Sequence, residues 1–137
     1  MTIRQISIEL ENKPGELSKI SDLLGRGRVN IKAISASSTD EISTVHFVAD
    51  DPEKASNIFK THGYKVKETE VFAVETPDHP GGLNAVLKPL REASINVIYL
   101  YPYIGLSGSN AILILGVDKT TEAIEVLKAN WVRILEE

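Results

Sequence analysis

The chain has no cysteine, one methionine and one tryptophan in 137 residues. Without cysteine there is no disulfide, no thiolate metal site and no thiol nucleophile, although the compartment stays open on this count. A surplus of positive charge is also missing. The net charge is −4 with both signs mixed along the chain, so no basic footprint invites nucleic acid or an anionic membrane. No apolar run approaches about 20 residues and no secretory leader opens the chain, so no membrane span is expected and a cytoplasmic location is the default. The three histidines, His46, His62 and His79, lie far apart and lack metal-ligand spacing. Gly25-Arg26-Gly27 superficially suggests a phosphate loop. It follows a helical run rather than a strand and lacks dinucleotide spacing, so it reads as a helix end. No nucleophile, base and orienting group can be assembled from the residues, and neither enzyme activity nor a cofactor is expected.

What is present is an internal repeat. Asn12-Lys13-Pro14-Gly15 and Asp78-His79-Pro80-Gly81 stand 66 residues apart, each after a short apolar strand and before a helical run opening with Leu17 or Leu83. At the same offset Ile20 falls on Val86, Leu24 on Leu90, Val29-Asn30-Ile31 on Ile95-Asn96-Val97, and Phe47 on Leu113. One or two extra residues enter the second copy within Gly105–Ser109, after which Ala55 matches Ala123, Phe59 matches Leu127 and Val66 matches Ile134. A repeat of this kind sets the architecture before any single residue is read. Two copies are expected, 1–70 and 71–137, each near the lower limit for a self-sufficient core.

Each copy reads β-α-β-β-α-β. Residues 2–10 alternate as a strand, with Ile6, Ile8 and Leu10 on one face. Leu17, Ile20, Leu23 and Leu24 recur at helical spacing until Gly25 and Gly27, glycines suited to a left-handed helix end. Strands follow at 29–37 and 42–49. Asp51-Pro52 starts a second helix with an aspartate cap and proline in the first turn. Its inner stripe is Ala55, Ile58, Phe59 and His62, and a strand from Tyr64 to about Val71 closes the copy. In the second copy strands are expected near 71–76, 95–104, 110–117 and 131–136. Helices are expected near 81–92 and 119–130, the latter capped by Asp118, with Pro89 kinking or shortening the former. Lys65 to Thr76 reads as nearly continuous extended chain. The fold class is therefore α+β: two ferredoxin-like sandwiches in tandem, each an antiparallel sheet with both helices on one face.

The two sheets differ on their other face. In the first copy its positions are polar: Gln5, Ser7, Thr44 and His46. In the second, strands 95–104 and 110–117 are largely apolar on both alternations, with Tyr99, Tyr101 and Tyr103 on one and Ile98, Leu100 and Ile104 on the other. A sheet apolar on both faces expects a second cover, from the other half or another chain, which makes a homodimer the expected state.

Apolar strand, Asx-x-Pro-Gly-x-Leu, amphipathic helix and then Val/Ile-Asn-Ile/Val opening the second strand, written twice, resembles the ACT domain. The resemblance covers essentially the whole chain and implies a regulatory module that binds a free amino acid and relays occupancy to a metabolic enzyme. A glycine at the strand-to-helix turn admits a ligand to the backbone, and the unpaired N–H groups of the first helical turn favour a carboxylate. By the resemblance, Gly15, Glu16 and Leu17 offer that turn in the first copy and Gly81, Gly82 and Leu83 in the second. Asn12 and Asp78, with Asn30-Ile31 and Asn96-Val97 opening the second strands, supply the acceptors for the ligand's ammonium, and His79 borders the second loop. As ACT pairs face each other, one site would join Asn12 to Asn96 and the other Asp78 to Asn30. The second loop is preferred, because anionic Asp78 makes the stronger, charge-assisted bond.

Competing readings are weaker. An RNA-binding relative of this fold would show a glycine-aromatic motif on its third strand, where this chain has only Phe47. A metallochaperone would need paired cysteines, and an acyl-phosphate hydrolase an arginine-bearing loop after the first strand. The remaining alternative is an interaction module that docks on a metabolic enzyme and has lost its ligand site. In that case Asn12 and Asp78 are only turn residues.

Overall fold

The computed structural model describes residues 2–104 and 110–135. The elements run β1 (Ile3–Glu11), α1 (Glu16–Arg26), β2 (Ile31–Thr39), β3 (Ile42–Ala49), α2 (Pro52–Thr61), β4 (Lys67–Thr76), α3 (Gly82–Glu92), β5 (Val97–Pro102), β6 (Ala111–Val117) and α4 (Thr120–Ala129). They form two compact units, Arg4–Thr69 and Glu70–Glu137 with Met1–Ile3. The extended chain expected from Lys65 to Thr76 is one strand, β4, which starts at Lys67. The expected insertion within Gly105–Ser109 lies outside the described residues.

In the first unit the strands are antiparallel in the order β2-β3-β1. Ile6, Ile8 and Leu10 of β1 face Ile20 and Leu24 of α1 and Ala55 and Phe59 of α2, with Val45, Phe47 and Ala49 of β3 completing the core. Both helices thus cover one face of the sheet. Phe59 is the hub, meeting Phe47 edge to face at 5.4 Å between ring centroids and Tyr64 at 5.6 Å. Such pairs add about 0.5–1.5 kcal/mol to the burial of their rings. The first residues of β4 are tied to β1 by an ion pair of 3.2 Å between Glu68 and Arg4.

The second unit repeats this plan in the order β4-β6-β5. Phe72 and Val74 of β4 pack with Val86 and Leu90 of α3, Leu115 of β6, and Ala123, Ile124 and Leu127 of α4. The strand expected at 131–136 is a brief pairing on β4: Val74 bridges Ile134, flanked by Glu75 N–H to Arg133 O and Leu135 N–H to Ala73 O. Register corrects one detail of the repeat. Ile6 faces Phe47 across the first ladder, and Phe72 faces Leu115 across the second, so Phe47 corresponds to Leu115 rather than Leu113. Because Ile31 pairs Ala49 as Val97 pairs Val117, two extra residues enter between β5 and β6. The exchange keeps the pair's composition: a large aliphatic residue faces a phenylalanine in both units, with the sides reversed.

Several local expectations give way to packing and capping. Leu17 is exposed rather than part of the inner stripe, and so is its twin Leu83. His62 is exposed too, at the C-terminal end of α2, where its Nδ1 lies 2.8 Å from Ile58 O. Gly25 sits within α1, and Gly27 has φ −80, so neither is the left-handed residue; Arg28 is, at φ 58. Gly27 instead makes room for Ile58, whose Cδ1 a side chain there would strike. Each helix ends on one left-handed residue: Arg28, Gly63, Ser94 and Trp131 in turn. Pro89 does not shorten α3, which at 11 residues equals α1. The carbonyl that proline leaves unmatched belongs to exposed Ala85, where water can take the bond.

Asp118 does not cap α4, whose N-terminal residue is Lys119 with no side-chain bond. Its carboxylate accepts the N–H of Asn96 at 3.0 Å, as Asp50 accepts that of Asn30 at 2.9 Å. Asp118 thus corresponds to Asp50, and the capping partner Asp51, bonded to Lys54 N–H at 3.0 Å, has no acidic twin. The polar face of the first sheet is not bare either. Gln5 and Ser7 are buried, as are Val71, Ala73, Tyr101 and Ile114 on the corresponding side of the second. Along residues 97–104 the exposed large apolar side chains are Ile98, Leu100 and Ile104.

Candidate functional site

Both Pro-Gly turns are built alike. Proline ends the strand's reach, and glycine then enters the left-handed region, Gly15 at φ 88 and Gly81 at φ 84, as the N-terminal residue of its helix. A residue with a Cβ resists that conformation. No side chain caps either helix. Among the described residues none accepts from the N–H of Gly15, Leu17 or Ser18, or from that of Gly81, Leu83 or Asn84. Helix starts of this kind leave donors and a positive dipole end facing outward.

In the first unit the turn borders a cavity of about 290 Å³ lined by Asn12, Lys13, Glu16 and Leu17 with Ser38, Ser43 and Val45 from the sheet. Its volume is near the lower end for small-molecule sites. Asn12 is fixed by two bonds to the β2–β3 turn, its N–H to Glu41 O and its Nδ2 to Asp40 O, each 2.8 Å. That leaves its Oδ1 as an acceptor. The Lys13 ammonium lies 2.9 Å from a Glu11 oxygen and 3.6 Å from a Glu16 oxygen. The same partnership holds the Glu11 carboxyl below its ordinary pKa and the Lys13 ammonium above. Exposed Leu17 forms the apolar lip.

The second turn differs in substance. Asp78 is exposed and His79 Nδ1 donates to Pro80 O at 2.9 Å. The expectation that Glu16 and Gly82 offer their N–H groups is overturned in both turns: Gly82 donates to His79 O at 2.9 Å, and Glu16 to Lys13 O at a longer 3.4 Å. Gly82 is a glycine because it is buried against Pro77, whose carbonyl a Cβ would strike. The backbone doubles back there, which consumes the donor.

Asn30 and Asn96 stand at the far end of their own sheets. Glu11 pairs Ile42 at the end of the ladder near Asn12, whereas Ile31 pairs Ala49 at the other, with the 11 residues of α1 between. At 1.5 Å per residue that helix is about 16 Å long. Within a unit, then, Asn12, Glu16 and Leu17 come together and Asn30 and Ile31 do not join them. Asn96 and Val97 likewise line a separate groove of about 440 Å³ with Leu87, Leu90 and Arg91 of α3. Of the residues that set the geometry of both asparagines, Asp50 escaped the sequence reading and Asp118 was assigned to the α4 cap instead. The signal was available, since each aspartate follows its asparagine by a whole hairpin in both copies. A larger hollow of about 460 Å³ runs along α2 from Asp51 to His62, with neither a glycine turn nor a helix start bare of its cap. Among the described residues no three His, Asp or Glu side chains are placed to hold a metal, and no helix is long and apolar enough to cross a membrane.

The ACT domain pair family matches the chain over residues 1–137. The protein belongs to that family. No curated protein is similar to it in sequence. Among solved structures, a protein of Bacteroides thetaiotaomicron is similar at 28% identity and TM-score 0.91, over 98% of this chain and 92% of that one. The ligand-free regulatory subunit of aspartate kinase from Thermus thermophilus shares the fold at 12% identity and TM-score 0.68, over 93% and 92% of the two chains. The corresponding subunit from Thermus flavus does so at 10% identity and TM-score 0.62. In this ACT pair the repeated Pro-Gly turns open α1 and α3.

Proposed function

We propose that this ACT domain pair is a non-catalytic regulatory protein of the cytoplasm that binds a free amino acid at its Pro-Gly turns and acts as a homodimer on a metabolic enzyme. The observation that carries the reading is the pair of left-handed glycines, each opening a helix where the N–H of the glycine and those of the second and third helical residues meet no acceptor among the described residues. A carboxylate satisfies those donors and the helix dipole together. Asn12 Oδ1 and the Asp78 carboxylate sit beside the two turns as acceptors for an ammonium. Asn30 and Asn96, each anchored through its own N–H by an aspartate, keep their side chains exposed as the second set of acceptors. Leu17 and Leu83, exposed at the lips, cover the ligand's apolar part. The Thermus thermophilus neighbour, a regulatory subunit by its description, is in keeping with such a role.

Thermal unfolding against each of the twenty amino acids at millimolar concentration tests this reading. A ligand at about 100 times its dissociation constant adds roughly 2.7 kcal/mol, a rise of several degrees for a chain of this size. One amino acid is expected to raise the midpoint. Asn12→Ala and Asp78→Ala should each reduce that rise while the unliganded protein keeps its own midpoint. No response to any amino acid in the intact protein would leave the turns as helix starts only and favour the interaction module.

A further inference from the structure

We propose that the hollow at the C-terminal end of α4, beside exposed Trp131, binds a small primary alkylamine in its ammonium form. This goes beyond the amino-acid reading and does not depend on it. The hollow has a volume of about 310 Å³, near the lower end for small-molecule sites. Pro77, Ala85, Val86 and Val132 line it with apolar surface, and Asn110, Asn130 and Trp131 add polar and aromatic groups. Trp131 is the one tryptophan of the chain, holds φ 64 and is 95% exposed. A bulky side chain in the left-handed region is strained, and this one gains almost no packing within the chain to offset the strain. Such an outlier points to a use outside the fold.

The groups around the indole suit a positive partner. Asn130 ends α4, and its Nδ2 donates to Val126 O at 2.9 Å, which leaves Oδ1 as an acceptor. Among the described residues no donor meets the carbonyls of Ala129 and Asn130, so the helix closes on bare acceptors at the negative end of its dipole. Lys128, the basic residue of that last turn, is not among the residues lining the hollow. Asn110 spends its Nδ2 on Glu75 Oε1 at 2.8 Å and likewise keeps its Oδ1. Arg133 also lines the hollow, but its guanidinium is paired with Glu75 Oε2 at 3.1 Å. Asn110, with Arg133 behind it, holds that carboxyl below its ordinary pKa. An ammonium over the indole face is attracted by the ring's quadrupole, and its three N–H donors match carboxamide and carbonyl oxygens. The apolar walls take the alkyl stem.

The first unit lacks this combination. At the corresponding places it has Gly63 for Trp131, His62 for Asn130 and Lys19 for Ala85, so it offers no indole and supplies a cation of its own. The net charge divides unevenly as well. Residues 1–69 carry ten Lys or Arg against ten Asp or Glu, and residues 70–137 five against nine. The whole charge of −4 therefore belongs to the second unit, where it favours the approach of a cation.

The test uses the intact protein at constant ionic strength, with pentylamine as the probe and 1-pentanol as its uncharged match. Because Trp131 is the one tryptophan, intrinsic fluorescence reads this site directly. Pentylamine should change the emission saturably, with a dissociation constant roughly tenfold below that of pentanol. Asn130→Ala should weaken the amine roughly threefold or more by removing an acceptor. The amine should also raise the unfolding midpoint, and Trp131→Gly should remove that rise without lowering the midpoint of the unliganded protein. No saturable change, or equal binding of pentanol, would overturn the cation site. A rise in midpoint that survives both Trp131→Gly and Asn130→Ala would place the amine elsewhere and overturn the assignment to this hollow. Neither result touches the amino-acid reading, whose own test uses Asn12 and Asp78.

Discussion

Ser7 faces His46 across β1 and β3, and at the same place in the second unit Ala73 faces Ile114 across β4 and β6. Two residues earlier on each first strand, on the same face, stand Gln5 and Val71. Three positions on one lattice are thus polar in one unit and apolar in the other, and all of them but half-buried His46 are buried. The polar set is held by its own bonds: Ser7 Oγ to His46 Nδ1 at 2.6 Å, with Gln5 Nε2 3.4 Å from each. The apolar set needs only contact. The difference shows that burial on this side of the sheet comes with the fold and not with the side chain's character. A polar sequence can occupy it if every group finds a partner.

The comparison breaks most sharply at the turns. Glu16 and Gly82 are equivalent, but only Gly82 is pressed against Pro77. Gly82→Glu, giving the second turn the first one's residue, should cost about 3 kcal/mol or more by forcing the backbone apart, read as a fall in denaturant midpoint. The reverse exchange, Glu16→Gly, should cost under about 1 kcal/mol. Equal losses would show that the two turns are not distinct in packing.

Next in size is the buried polar set. Ser7→Ala or His46→Ile alone should destabilise by about 1–2 kcal/mol, because each removes the 2.6 Å bond between Ser7 Oγ and His46 Nδ1. Gln5→Val, Ser7→Ala and His46→Ile together transplant the second unit's residues and should recover most of that loss. The set also carries a pH signature. Burial disfavours the His46 imidazolium and Lys67 adds repulsion, so the folded pKa lies below the ordinary 6.5. As pH falls through about 6.5 the unfolded chain takes the proton first, and stability declines until the pH is below the folded pKa. The triple variant should lack that slope in a series of unfolding curves between pH 7.5 and 5.

Two smaller exchanges concern helix ends. Trp131 occupies the left-handed position at φ 64 where its twin is Gly63, and its side chain is 95% exposed. Trp131→Gly should stabilise by up to about 1 kcal/mol by removing the strain, and chemical denaturation would detect it. Lys119 starts α4 where Asp51 caps α2. Lys119→Asp should add about 0.5–1 kcal/mol in the same assay. If neither changes stability, the two units are equivalent at their helix ends despite the different residues.

Much of the fold was legible because two period signals were written twice. Ile6, Ile8 and Leu10, and later Phe72 and Val74, alternate as strands. Ile20 with Leu24, and Val86 with Leu90, mark one face of a helix. Register was less legible. Phe47 aligned on Leu113 by counting alone, because the two residues inserted before β6 leave no mark in the hydrophobic pattern and shift a strand by one full period of two. Helix ends were misread for a different reason. Glycine suits a left-handed cap, but Arg28 and Ser94 also adopt it when the chain after them is fixed by the next strand, and Gly27 was required by Ile58, far away in sequence.

What the sequence determined by itself was the repeat, the order of elements, the helix-side cores and the two turns that proline and glycine force wherever they stand. These follow from local sterics and short-range periodicity. Only the tertiary structure decided that Gln5 and Ser7 are buried, that Gly82 spends its N–H on His79, that Asp118 secures Asn96 instead of capping α4, and that Leu17 and Leu83 stay exposed. Each of those outcomes depends on which atoms the folded chain brings within a few ångströms, and on competition among donors for one acceptor. A residue's identity does not contain that information until its neighbours are in place.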